Sequence, residues 1–89
     1  MSKEELDKYG FVIASTYRKR ILKELKRSPL SPKQIAQRTG IHLSHVSSAL
    51  NELTKENIVT CVNPKRKKGR IYNLTDMGRR IANMIEQNP

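Results

Sequence analysis

Residues 31–53 read SPKQIAQRTGIHLSHVSSALNEL, two helical patterns joined at a glycine. The first pattern has an explicit start, because Ser31 suits an N-cap, Pro32 suits the first helical position and Gln34 completes a capping box. Gly40 ends this pattern, since glycine readily adopts the left-handed conformation that closes many helices. The stretch predicts a helix of about two turns, followed at once by a second helix.

The second helix is expected to begin near His42. Its apolar residues are spaced so that they form one stripe along a helix; they are Leu43, Val46, Leu50 and Leu53. The opposite face is polar and carries Ser44, His45, Ser48, Asn51, Glu52 and Lys55. A short helix that supports a longer one with an open polar face is typical of a helix-turn-helix.

A basic hairpin follows the two helices. Residues 58–62 are rich in β-branched side chains and predict a strand, the turn covers 64–69, and residues 70–74 predict the return strand. A helix-turn-helix is a weak signal alone, but a basic hairpin directly after it predicts a winged helix. The expected fold class is mainly α with a small β-hairpin (α+β), closed by a C-terminal helix.

The chain is strongly basic, with 18 Lys and Arg against 8 Asp and Glu and a net charge of +10. Such a domain favours polyanions, because each cation placed on a phosphate releases condensed counterions. Solubility is the plain alternative, but the charge is clustered. The single cysteine excludes an intramolecular disulfide, and the longest apolar run, 11–14, is too short for a membrane span or a signal peptide. A cytoplasmic protein is expected.

Helices are also expected on both sides of the central unit. Ser2 and Ser15 suit the N-caps of helices over residues 3–13 and 16–27, and Thr75 suits the cap of a final helix. The apolar face of the helix over 16–27 consists of Tyr17, Ile21, Leu22 and Leu25. The apolar stripe of the final helix consists of Met77, Ile81, Met84 and Ile85.

The chain is expected to divide into three parts: an N-terminal helix or arm at 1–14, a winged-helix DNA-binding domain at 15–74, and a C-terminal helix at 75–89. The C-terminal helix is predicted to pair two subunits, alone or with the N-terminal helix. The alternative is that its apolar stripe packs on its own domain. A dimer would place two recognition helices about 34 Å apart.

Polar residues of the second helix are the expected base-reading set, because a recognition helix meets base edges near its start. They are Ser44, His45, Ser48 and Asn51, while Ser47 lies between the faces and could reach a phosphate. Small hydroxyl groups permit a close approach to the groove. The start of the helix lacks Arg, Lys and Gln, which predicts modest direct readout or readout by DNA shape. The alternative is an ordinary solvated face.

The basic turn at 64–70, the predicted wing, is the second candidate for DNA contact. Its cations are Lys65, Arg66, Lys67, Lys68 and Arg70. Close like charges repel one another unless a polyanion offsets them, so contact with phosphates or the minor groove is favoured over a flexible charged loop. Weaker supporting contacts are expected from Lys33 and Arg18.

Metal, redox and catalytic chemistry receive little support. His42 and His45 are three positions apart and Cys61 would complete a metal site. A helix-cap role for His42, a groove position for His45 and a small core position for Cys61 are simpler interpretations. No catalytic arrangement is visible. We expect a protein that is not an enzyme, with no metal, no cofactor and no evident small-molecule ligand.

These motifs, in this order, resemble the winged helix-turn-helix transcriptional regulators common in archaea, which are relatives of the ArsR and MarR repressor families. The resemblance covers roughly residues 11–80 and rests on TGIHLSHVSSAL at 39–50, NIVTCVNP at 57–64, and GRIYNLT at 69–75 with Gly78. It implies a homodimer that binds double-stranded DNA, with Ser44, His45, Ser47 and Ser48 on the base-reading turn and residues 65–70 on the wing. Members often carry arginine where this chain has Ser48, which argues against strong guanine readout. The arsenic-sensing cysteine pattern is absent.

The predicted function is sequence-specific binding of double-stranded DNA by a transcriptional regulator. The recognition helix, about residues 42–55, would enter the major groove, and the wing would lie on the backbone or in the minor groove. One alternative is a sequence-independent architectural DNA-binding protein or an RNA-binding protein, which the weak base-reading set and the dense wing charge favour. A second alternative is a winged-helix docking module for another protein.

Overall fold

Five helices and one antiparallel hairpin follow one another along the chain. The structure, a computed structural model, describes residues 2–88. The elements in chain order are α1 (Lys3–Ile13), α2 (Thr16–Arg27), α3 (Pro32–Thr39), α4 (Leu43–Lys55), β1 (Val59–Cys61), β2 (Tyr72–Leu74) and α5 (Asp76–Gln87). This order confirms the predicted winged-helix fold class, and within residues 2–88 no helix is both long and apolar enough to cross a membrane.

Local capping sets the helix boundaries. The hydroxyls of Ser2, Ser15, Ser31 and Thr75 each accept a hydrogen bond from a backbone N–H three residues later. Gln34 returns a hydrogen bond by accepting from the Ser31 backbone N–H at 2.9 Å, which completes the predicted capping box. These contacts leave fewer unsatisfied N–H groups at each helix start.

The core lies where α2 packs against α4 and α5, with α3 closing it beside α4. Its fully buried side chains include Ile21, Leu22, Leu25, Ile35, Val46, Leu50, Leu53, Ile58, Ile81 and Ile85. The stripes of α2 and α4 therefore pack inward as predicted, except at one residue of each. This packing presents the polar face of α4 to solvent while its apolar face holds the domain together.

Tyr17 and Leu43 belong to the apolar stripes expected from the sequence, but the core does not bury them. Tyr17 is 41% exposed and Leu43 is 40% exposed. Each lies in the first turn of its helix, at the edge of the stripe, where the core covers only one side. The Tyr17 ring instead stacks on the His45 ring with 5.1 Å between centroids.

The hairpin is shorter than predicted and has an extra partner. β1 pairs with β2 from Val59↔Leu74 to Cys61↔Tyr72, three residues each rather than the five expected. Leu30, between α2 and α3, exchanges two backbone hydrogen bonds with Tyr72, at 3.1 and 2.8 Å. The hairpin is thereby anchored to the start of α3, which fixes the wing relative to the helix-turn-helix.

The turn after α4 connects the hairpin to the final helix. Asn57 adopts a left-handed conformation, with φ of 58°, and Ile58 N–H donates to the Leu53 carbonyl at 2.9 Å, so α4 ends in a Schellman motif. The Thr75 hydroxyl donates to the Asn57 carbonyl at 2.7 Å. Gly78 lies so close to this turn that a Cβ atom there would overlap the Ile58 carbonyl. These contacts fix the base of the hairpin against α5.

The apolar stripe of α5 packs largely on its own domain. Met77, Ile81 and Ile85 are buried, whereas Met84 is half-buried. The buried members therefore pack on their own domain, which is the alternative that the sequence left open. α1 packs against α5 and α2 and still exposes Leu6 and Ile13. The predicted division into three parts and the predicted dimerisation helix stay predictions.

Candidate nucleic-acid interface

The start of α4 is organised by a histidine cap. His42 Nδ1 accepts a hydrogen bond from the Ser44 backbone N–H at 3.3 Å and lies 2.9 Å from the Ser44 hydroxyl. This confirms the interpretation of His42 as a helix-cap residue. The predicted base-reading residues are all exposed on α4; they are Ser44, His45, Ser47, Ser48 and Asn51.

A groove of about 510 Å³ runs between α4 and the wing, and we call it the α4–wing groove. Three residues spaced one helical turn apart, Leu43, Ser47 and Asn51, line it on the α4 side. Its other walls and floor are formed by Ser31, Pro32, Lys33, Leu50, Lys67, Lys68, Gly69, Arg70 and Tyr72. The structure thus brings two predicted base-reading residues, a predicted supporting lysine and three wing cations together around one concave surface.

The other predicted base-reading residues lie outside the lining of this groove. Ser44 and Ser48 point outward from α4, about 100° and 140° around the helix from Leu43. His45 lies on the side facing α2, where it stacks on Tyr17. The exposed surface of α4 therefore has a groove side, an outer face and an α2 side.

The wing is held by hydrogen bonds that the sequence analysis did not identify. Asn63 Nδ2 donates to the Gly69 carbonyl at 3.0 Å, and Asn63 Oδ1 accepts from the Ile71 N–H at 2.8 Å. Gly69 has a φ of 69°, which favours glycine. The sequence Asn63-Pro64 carried the available signal, because an asparagine side chain commonly organises the backbone of a turn. Asn63 thus closes the loop that presents the cations.

The five wing cations are exposed, and they differ in how they are held. Arg70 Nε donates to the Arg66 carbonyl at 2.8 Å, and a second Arg70 nitrogen lies 3.4 Å from the Pro64 carbonyl. Along the described part of the chain, no carboxylate lies within 4.0 Å of any wing cation. The wing therefore presents a concentrated positive charge that the folded chain does not neutralise.

Arg18 is placed differently from the wing cations. Its Nε donates to the Phe11 carbonyl at 2.8 Å, and its guanidinium carbon lies 3.9 Å from the centroid of the Phe11 ring. A terminal nitrogen lies 3.5 Å from a Glu52 carboxylate oxygen, and the side chain is 14% exposed. This geometry does not favour the supporting DNA contact predicted for Arg18, whereas Lys33 is exposed beside the α4–wing groove.

The two histidines and the cysteine do not assemble into a common site. The rings of His42 and His45 are 6.1 Å apart, edge to face. Residues 2–88 contain no group of three or more His, Cys, Asp or Glu side chains arranged to hold a metal ion. Cys61 is half-buried against the core, with its Sγ 3.5 Å from Asn63 Oδ1. That position fits the interpretation of Cys61 as a small core residue.

Solved structures share this fold. A homodimeric winged helix-turn-helix DNA-binding domain from Mycobacterium bovis, described as a possible ArsR-family transcriptional regulator, is 22% identical, with a TM-score of 0.73 over 94% of this chain and 77% of that one. HlyU from Vibrio cholerae is 24% identical, with a TM-score of 0.68 over 99% of this chain and 94% of that one. Both likenesses establish the winged-helix architecture.

Sequence comparison identifies the family. An uncharacterized HTH-type transcriptional regulator of Bacillus subtilis, YvnA, is 43% identical over 54 residues, which are 60% of this chain and 34% of that protein. The chain therefore spans about a third of the length of this curated relative. The sequence model of the MarR family matches residues 16–69, which include α2, the helix-turn-helix, β1 and most of the wing. The chain belongs to the MarR family.

Proposed function

We propose that this protein is a transcriptional regulator that binds double-stranded DNA, with α4 in the major groove and the wing on the flanking backbone or in the minor groove. The observation that carries the proposal is the α4–wing groove, which joins the exposed side of α4 to Lys33 and three wing cations. A helix and a hairpin placed in this way engage one duplex together. The family membership and the name of the Bacillus relative support the same function.

The charge distribution supports a polyanionic partner. All eight acidic residues lie outside the segment 57–75, which contains the wing. Four of the eight are held in ion pairs elsewhere, at Glu5, Glu52, Glu56 and Glu86. A duplex placed against the wing would meet cations without a competing carboxylate, and each contact would release counterions.

For base recognition we propose Ser44, Ser47, Ser48 and Asn51, with His45 at the edge of the interface. Hydroxyl groups donate or accept, and an asparagine amide can bond both edge atoms of adenine. For backbone contact we propose the wing cations and Lys33. Because Ser48 replaces the arginine common among relatives, we expect weaker preference for guanine at its position.

The regulator is proposed to act as a homodimer in the cytoplasm. The homologous fold from Mycobacterium bovis is described as homodimeric. On α1, Leu6, Gly10 and Ile13 lie on one face, both large side chains are exposed, and the space beside Gly10 is open. This face, together with the half-buried Met84 of α5, is the proposed contact between copies. The relation to archaeal regulators stays a prediction, because the relatives named above are bacterial.

The dimer is tested by size-exclusion chromatography with light scattering. We expect twice the chain mass of 10.3 kDa for the unmodified protein. The double variant Leu6→Glu with Ile13→Glu should be monomeric, because buried carboxylates without partners oppose association. A single-chain mass for the unmodified protein would contradict the proposed dimer.

Binding is tested by fluorescence anisotropy on two duplexes of equal length, at low and moderate salt. One duplex carries the region upstream of the protein's own gene, and the other carries a shuffled version. A preference of roughly a hundredfold that survives moderate salt is expected for a specific regulator. Little affinity for either duplex would contradict DNA binding and favour a protein-docking module.

A second candidate function is sequence-independent binding of DNA or RNA. It is favoured by one observation, the lack of Arg, Lys and Gln in the first two turns of α4 beside a wing with five cations. In the same experiment, equal binding to both duplexes that falls steeply with salt would select this candidate, because the phosphate backbone would be the whole ligand.

A further inference from the structure

The groove side of α4 begins with an apolar residue that the core does not use. Leu43 is 40% exposed, although it follows directly after the His42 cap and the buried Ile41. It lines the α4–wing groove together with Ser47 and Asn51. An exposed leucine alone needs no explanation, but this one lies at the start of the helix that the proposed function inserts into the major groove.

The surroundings of Leu43 fit a nucleic acid better than an apolar protein partner. Besides Leu43, the groove is lined by Pro32 and by the buried side chains of Leu50 and Tyr72. Its rim is cationic, formed by Lys33, Lys67, Lys68 and Arg70. Cations at that rim are placed to hold phosphates, while the exposed Leu43 side chain offers the ligand only apolar atoms. In the major groove of DNA, the exposed apolar group of a base is the C5-methyl group of thymine.

We propose that Leu43 is a specificity-determining residue that recognises thymine through its C5-methyl group in the major groove. This inference rests on the proposed function, since it requires α4 to enter the groove. It also supplements a base-reading set made of hydroxyls, which can bond to several bases, and of one amide, which suits adenine. Ser47 and Asn51, on the same side of α4, would contact the neighbouring base pairs further along the groove.

The test uses duplexes selected from a random library by the unmodified protein. In the selected duplex, each thymine in turn is replaced by deoxyuridine, which removes the methyl group and keeps the Watson–Crick pairing. Affinities are measured by anisotropy for the unmodified protein and for Leu43→Ala. The unmodified protein should lose about fourfold in affinity at one or two positions, the size expected for removing one buried methyl group.

Leu43→Ala should bind the thymine and uracil duplexes equally at those positions. Leu43→Met, which keeps an apolar side chain of similar size, should retain the preference for thymine. Val62→Ala is the matched control, because Val62 is 53% exposed, is apolar and does not line the groove. It should leave the preference unchanged. Circular dichroism checks that each variant is folded. We expect all of them to fold, because Leu43 and Val62 are both exposed.

Two results would overturn the inference while leaving the proposed function standing. One is sequence-specific binding in which no thymine can be distinguished from uracil. The other is a thymine preference that Leu43→Ala keeps in full. If the library instead yields no preferred sequence, the proposed specific regulator fails, and the thymine contact is rejected with it.

Discussion

The cations of the wing and three cations of the helical body have opposite surroundings. Within the body, Arg18 is held by Phe11 and Glu52, Arg20 donates to the Thr39 carbonyl, and Lys26 pairs with Glu86. The wing cations face solvent, and no carboxylate within residues 2–88 pairs with them. Charge content alone therefore does not define an interface, because similar side chains stabilise the fold in one region and remain free to bind in the other.

The largest expected effect comes from neutralising the wing. Replacing Lys65, Lys67 and Lys68 together by Ala should lower DNA affinity about a hundredfold near 0.15 M salt and flatten the salt slope by up to about 2.7 units, since three phosphate contacts are lost. Thermal stability should change little, because all three side chains are exposed. Anisotropy titrations over a range of salt concentrations measure both quantities.

A triple variant of the helical body is the control for the wing triple. Lys3, Arg27 and Arg79 are exposed and outside the proposed interface, so replacing them by Ala removes the same charge. Affinity should then change by less than about threefold, through the general field of the protein only. Equal losses of affinity in the two triple variants would mean that the net charge of the protein, and not the position of the cations, controls binding.

Arg18→Ala should have the next largest effect, and it should appear in stability. The substitution removes a charged hydrogen bond to Phe11, a cation–π contact and an ion pair, together about 2 kcal/mol of the free energy of unfolding. Urea denaturation measures that loss. DNA affinity of the folded variant should change by less than about twofold at moderate salt. An affinity loss as large as that of the triple wing variant would instead support the DNA contact predicted for Arg18.

Asn63→Ala separates the effect of the wing charge from the effect of its position. It removes the bonds to Gly69 and Ile71 but leaves every wing cation in place. DNA affinity should fall about five- to tenfold, because a looser wing must be ordered on binding. The slope of affinity against salt should stay the same, as measured by the same titrations. If the salt slope changed as much as it does in the triple wing variant, the loss of Asn63 would have altered the number of phosphate contacts.

The smallest effect is expected for Lys26→Ala. Lys26 pairs with Glu86 across the α2–α5 contact, but Glu86 is largely exposed. Exposed ion pairs of this kind contribute about 0.5 kcal/mol or less, and salt screens them. Urea denaturation at low and high salt should show this small difference and its decrease. A loss above roughly 1.5 kcal/mol would place Lys26 with Arg18 among the cations that stabilise the fold.

Local sequence signals predicted the helix-turn-helix boundaries well. Ser31, Gln34 and Gly40 act through hydrogen bonds or backbone conformations within a few residues, so the sequence contains every partner that they need. The same holds for the cap of α2 at Ser15 and of α5 at Thr75. The strand boundaries were predicted less exactly, because the length of a strand depends on partners that are distant in the chain.

The candidate site was predicted in composition but not in arrangement. The exposed polar residues of α4 and the basic wing were identified, yet their division into a groove side and an α2 side was not. Leu43 belongs to the predicted apolar stripe but is exposed, because helical periodicity cannot reveal where the core ends at the first turn. The supporting contact predicted for Arg18 took no account of Phe11 and Glu52, which hold its side chain from 7 and 34 residues away in the sequence.

The amino-acid sequence alone indicates the family, the helix boundaries and the concentration of positive charge at 64–70. These follow from short-range hydrogen bonding, from periodicity and from residue identity. Three features depend on the folded arrangement: which cations stay free, which side of α4 faces the wing, and how Leu30 and Asn63 hold that wing in place. The physical reason is that each of these depends on contacts between residues that are separated in the chain, and packing alone brings them together.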